Sequence, residues 1–287
     1  MRLSRFSQFL RGLLRRPVSL AAFVILTAFL LMAIFGSVAA PYPFDELVRG
    51  DSGSVMRRMP PDGQFLLGTD RLGRDVYSRI LWGAREVIAI PAAATVLAVL
   101  VGTTIGLLTG YFGGWLDEAI SRVFDSLLAI PAIVLALVTL ATVGPSTGGL
   151  ITVIVLLYTP IVTRVIRSAT LGLRSAGFVE AARLRGEPVW YILAREILPS
   201  VLPVLVVEAA LRFSYAIFLT ASLGFLGLGV QPPSPDWGRM VNEARADINT
   251  TPWALWAPAG AIALLVVSVN LVADELRRVF RYEGSST

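Results

Sequence analysis

Apolar positions in this chain do not alternate with polar ones. They gather into long runs at 17–40, 87–110, 120–143, 150–165, 201–228 and 254–272, with polar stretches between them. A helix of roughly 20 apolar residues crosses the roughly 30 Å hydrocarbon core of a bilayer. The pattern therefore predicts an all-α, polytopic membrane protein with six transmembrane helices. The run at 150–165 is short but extendable at both ends. The first run ends in Ser37-Val38-Ala39-Ala40, small residues that would suit a signal-peptidase site. It is longer than a signal-peptide core, so we read it as a retained anchor.

Several positions inside the runs carry structural meaning. Gly102, Gly106 and Gly110 fall four apart, so one face of the second span is bare and another helix can approach it closely. Pro91 lies near the outer end of that span and Pro160 near the inner end of the fourth. Pro131 predicts a kink in the third. Arg122 and Asp125 stand three apart on one face of the third span and are expected to pair near the inner interface, close to the polar stretch that follows the fourth span. Glu208 and Arg212 stand four apart deep in the fifth. Charges at that depth face protein or a water-filled cavity. The pair either holds neighbouring helices or lines a solute path.

The polar stretches set the organisation. Residues 1–40 form a basic N-terminal segment and the first span; Phe6, Phe9, Leu10, Leu13 and Leu14 recur at helical spacing before it, as on a membrane-surface helix. Residues 41–86 form an outer segment, loop at first and then an amphipathic helix capped by Thr69 or Asp70, with Asp75 and Arg79 as an i,i+4 pair. Residues 87–287 hold the other five spans. Within that core, a basic stretch at about 168–200 lies at the inner face, and an outer loop at about 229–253 contains a short helix capped by Asp236. Arginine crowds the N-terminus and the 164–195 stretch, which places both termini and that stretch in the cytoplasm.

Composition agrees and removes several functions. Of 287 residues, 55% are hydrophobic and 16% charged, and mean hydropathy is +0.70. The chain has no cysteine and no histidine, so thiolate or imidazole metal sites and the commonest general base are excluded. It has no lysine either, and a phosphate-binding P-loop requires one. No carboxylates are paired at a catalytic spacing within one span, so no catalytic residue and no metal site is assigned. The basic residues are scattered as topology signals and form no groove for nucleic acid.

The inner stretch reads Glu180-Ala181-Ala182-Arg183-Leu184-Arg185-Gly186, then Ile197-Leu198-Pro199. A short run of helix formers ends at Gly186, and Pro188 follows. This stretch resembles the EAA loop of permease subunits of ABC importers. Two outer blocks, FLLGTDRLGRDVYSRILWGAR and FLGLGVQPPSPDWGRMVNEAR, resemble the C-type permeases of the dipeptide, oligopeptide and nickel group. Asn270, Asp274 and Arg277 resemble the family's closing pattern. Together they cover nearly all of the chain after the first span.

The resemblance implies a type I importer permease fold with no cofactor of its own. ATP and Mg would be bound by partner chains: two ABC ATPase subunits, or one fused. A second homologous permease would complete a heterodimer, and an extracytoplasmic solute-binding protein would deliver di- or oligopeptides, or alternatively nickel or another small solute. The residues from Glu180 to Gly186 would form the helix that couples to the ATPase. A lone channel or ion-driven carrier is the rival reading. Glu187-Pro188 and Glu196 depart from the family's usual Ala-Ser and His; we expect coupling to survive, with a matched ATPase partner.

Overall fold

The computed structural model describes residues 16–282. The expected N-terminal surface helix lies outside the described residues. Nine helices carry the described chain: α1 (Pro17–Ala39), α2 (Val76–Phe112), α3 (Gly114–Leu128), α4 (Ala132–Val143), α5 (Thr147–Leu173), α6 (Gly177–Leu184), α7 (Leu198–Phe225), α8 (Trp237–Ala244) and α9 (Pro252–Tyr282). Between α6 and α7 lie a helical turn, Val189–Tyr191, and a π-helical turn, Ile192–Ile197.

Five helical segments are long and apolar enough to cross a membrane by themselves. The expected third span is two helices instead, α3 and α4, bent by 92° to each other. Proline explains the break: Pro131 has no N–H to continue the ladder from α3, and it stands as the residue before α4. The expected kink is thus a full corner.

The α2–α5 pair is the spine. On α2, a Cβ at Gly102 would lie 2.9 Å from the Thr159 carbonyl oxygen, one at Gly106 2.8 Å from that of Thr163, and one at Gly110 2.8 Å from that of Arg167. The bare glycine face lets the two backbones touch along about two turns, as the spacing predicts. Val153, Ile154 and Leu157 of α5 then close a core with Ala94 and Ala98 of α2, Leu140 of α4, and Ala216 and Leu223 of α7. A second core joins α1, α2, α8 and α9 through Phe29, Ile80, Trp237, Met240 and Leu265. At the other end of α9, the buried Glu275 accepts a hydrogen bond from Ser19 (3.3 Å) and meets Arg278 and Arg16 at 3.6 and 3.8 Å. This clasp fastens the first span to the last helix.

The outer segment departs from expectation. Residues 41–75 are loop with two isolated bridges, Arg49 with Val55 and Thr69 with Asp75. The helix begins only at Val76 and runs unbroken into the second span, so no separate amphipathic helix exists. Its cap is Asp75, which accepts from the Ser78 N–H at 2.8 Å. Asp75 is therefore spent on the cap and does not pair with Arg79. Arg79, 2% exposed, instead donates to Asp70 and Glu243, both at 3.1 Å. Arg74 bridges the same two carboxylates at 2.7 and 2.6 Å, and Arg239 reaches Glu243 at 3.1 Å. The network ties the outer loop to α8. Burial opposes the charge on Glu243, but the neighbouring Arg79 and Arg74 outweigh it and hold its carboxyl below the ordinary range.

Helix α8 forms where expected. Asp236 accepts from the Arg239 N–H at 2.8 Å, and the fully buried Trp237 indole donates to the Ile80 carbonyl at 3.1 Å. Burial pushes the Asp236 carboxyl up to about 6, and the nearby Glu86 adds to the shift.

Candidate functional site

The candidate coupling site is built around α6. Val179 and Ala182 are fully buried in a cluster with Leu107, Ile166, Ile192 and Ile197. They stand three apart, so one face of this short helix packs on the π-helical turn and joins the cluster that the ends of α2 and α5 complete. The helix ends in a Schellman arrangement. The Gly186 N–H donates to the Arg183 carbonyl (2.9 Å) and the Glu187 N–H to the Ala182 carbonyl (3.2 Å). That reversal needs a left-handed residue, and Gly186 supplies φ +76°.

The opposite face is open. Leu184 is 89% exposed, and Phe178, Glu180 and Ala181 are exposed beside it. Glu180 has no ion-pair partner among the described residues. Trp190, 68% exposed, extends this surface beyond the turn; the sequence reading had not singled it out. The two arginines of the motif are occupied. Arg183 donates to the Tyr111 hydroxyl at 3.0 Å and lies 4.8 Å from its ring centre. Arg185 meets Glu196 and Glu187 at 3.3 and 3.6 Å. They brace α6 against α2 and the π-helical turn, leaving apolar side chains and one carboxylate as the presented surface. Such a surface suits a protein partner.

The expected Arg122–Asp125 pair is not made. Arg122 bonds Glu118 at 2.9 Å, one turn back, and Asp125 is reached by Arg164 of α5. Three positions apart, Arg122 and Asp125 share a side of α3, but Arg164 brings its guanidinium to Asp125 from the facing helix. Deeper in the same crevice Arg167 grips both oxygens of Asp117. These two cross-helix ties were missed because sequence spacing shows only pairs within one helix.

Glu208 and Arg212 do meet, at 2.8 Å, although the N–H is not aimed well enough for a hydrogen bond. Their side chains are only 10% and 13% exposed. The Arg212 guanidinium also lies 5.0 Å from the ring centre of Tyr215 and 5.6 Å from that of Tyr158, which belongs to α5. The pair thus packs α7 against α5. Among the described residues no group of three or more acidic side chains could hold a metal ion.

Residues 102–282 match the family profile described as binding-protein-dependent transport system inner membrane component. The chain belongs to this family. As an inner membrane component of that kind it is a multi-pass membrane protein, and the match runs from the C-terminal third of α2 to the end of α9. Residues 4–61 match a second profile, the N-terminal TM domain of oligopeptide transport permease C. Among similar proteins, the dipeptide transport system permease protein DppC of Alkalihalophilus pseudofirmus is 37% identical, over 93% of this chain and 86% of that one. The glutathione transport system permease protein GsiD of Pectobacterium atrosepticum is 37% identical, over 94% and 88%. GsiD of Escherichia coli O157:H7 is 38% identical over the same shares. Among solved structures, an inward-facing MetNI methionine ABC transporter chain superposes with a TM-score of 0.57 at 20% identity, covering 70% of this chain and 96% of that one. A second crystal form gives 0.53 at 22%. The fold is that of a type I ABC importer permease, as the sequence reading expected.

Proposed function

We propose that this permease forms half of the translocation path of an ATP-driven importer for short peptides. Its relatives carry dipeptide and glutathione in their names, and both solutes are peptides. A second, distinct permease completes the path. ATPase subunits that hold ATP and Mg dock beneath, and a solute-binding protein delivers cargo from outside. Both termini face the cytoplasm.

One observation carries the coupling role: α6 is anchored by Val179 and Ala182 while Leu184 and Glu180 point away from the protein with nothing to cover them. The chain has no lysine for a P-loop, so the force must arrive from another polypeptide. Movement of α6 passes directly into α5, three residues upstream, and through the π-helical turn into α7. Docking drives transport only if the ATPase holds α6 differently in its two nucleotide states, because equal affinity for both shifts nothing. We read Glu208 and Arg212 as a fastening in the wall of the path, since both are covered.

The test is Glu180→Arg in the complex reconstituted into liposomes. Stimulation of ATP hydrolysis by solute-loaded binding protein should fall at least about tenfold, the equivalent of about 1.4 kcal/mol of lost coupling, while the protein still inserts. Unchanged stimulation would remove the assigned role of Glu180.

A further inference from the structure

Where α3 folds beneath α5 it leaves a cavity of about 300 Å³. Ser121, Phe124 and Asp125 of α3 form one wall; Thr163, Arg164 and Arg167 of α5 form the other. The volume matches the lower end of small-molecule pockets, about 300–1,000 Å³. Asp125 and Arg164, which both line it, are paired with each other at 2.5 Å and are 63% and 61% exposed. Arg167 is held by Asp117, so its charge is already answered. Thr163 is 3% exposed and its hydroxyl has no partner.

Depth makes this arrangement unusual. Arg164 lies about 26 Å along α5 from Thr147, near the inner margin of a hydrocarbon core about 30 Å thick. Charged side chains so placed face water or protein, not lipid. An exposed ion pair contributes little net stability. A ligand that presents both opposite charges can therefore open it at small cost and replace each contact with one of its own.

We propose that this crevice is a transient binding site for a zwitterionic solute on its way inward. The solute's amino group meets Asp125 and its carboxylate meets Arg164, with Ser121 and Phe124 against its remaining part. The proposal rests on the peptide-importer reading and adds to it where this chain holds the cargo.

The chain lacks cysteine, so Ser121→Cys introduces one thiol whose modification is read by mass on this chain alone. The complex is purified through this chain into phosphatidylcholine nanodiscs, without binding protein or ATP. Alanyl-alanine or S-methylglutathione is added at millimolar concentration, with uncharged N-acetyl-alanine amide as control. Either peptide should slow maleimide labelling, about threefold at twice its Kd; the control should not, and Arg164→Gln should abolish the effect. Labelling unaffected by both peptides, slowed equally by the uncharged control, or slowed by phosphatidylethanolamine alone would overturn the site. Uptake of the same peptides into proteoliposomes by the unsubstituted complex is measured alongside. Uptake without protection overturns the site and leaves the importer reading standing. Absence of both overturns the two together.

Discussion

At the scale of single residues, two kinds of glycine do opposite work. Gly106 stands where a Cβ would press on backbone, 2.8 Å from the Thr163 carbonyl oxygen. Gly106→Val should cost at least about 1–3 kcal/mol through overpacking and lower the thermal midpoint of the detergent-solubilised protein by several degrees. Gly172, near the end of the facing helix α5, has open space around it. Gly172→Ala should be neutral or stabilising by up to about 1 kcal/mol in the same melt. Equal effects would contradict the close-packed spine. Asp236 gives a pH signature. Its folded pKa of about 6 stands above the ordinary value of 3.8, so the folded state keeps a proton that the unfolded state releases. Its contribution to stability is therefore greatest below about pH 4 and declines as pH rises to about 6. Asp236→Asn retains the helix-capping oxygen, and should flatten that decline and stabilise at pH 7 by on the order of 2 kcal/mol. An unchanged pH profile of melting would refute the assignment.

At the scale of elements, the reading of the sequence succeeded where the signal is local. The glycine ladder, the Asp236 cap and the Gly186 stop each depend on residues within one or two turns, and each forms as expected. Expectations failed where a distant partner decides. Asp75 caps a helix instead of pairing with Arg79, because Asp70 and Glu243 claim that arginine. Asp125 pairs with Arg164 rather than Arg122 because α3 folds under α5. The corner at Pro131 was visible as a proline, but not its 92° angle, nor the Asp117–Arg167 tie that holds α3 to α5. Local geometry also limits α6. Gly186→Ala places a side chain at φ +76°, which costs roughly 1–2 kcal/mol. The open surroundings of Gly186 allow the variant to fold. We expect solute-stimulated ATP hydrolysis to weaken without being abolished, as the turn into Glu187 loosens. Full activity would show that the Schellman turn is dispensable.

At the scale of the whole molecule, the helices differ in how much of them this chain covers. The α5 span is 61% buried, whereas the α7 and α9 spans are 28% and 22% buried. The spine is complete within the chain, and the flanking spans remain available to lipid or to a second permease. The Glu275 clasp fastens α1 to α9 at one end of the bundle, and the arginine–carboxylate network fastens the 41–75 loop to α8 at the other. The central claim is that an ATPase drives transport by a push at α6. Leu184→Cys, the sole thiol of the chain, tests it most directly through a short bifunctional cross-linker in the purified complex. A covalent link to an ATPase subunit is expected, with a yield that changes when ATP is bound. A thiol that reacts freely with aqueous reagent in the assembled complex, and links to no ATPase in either state, would contradict it.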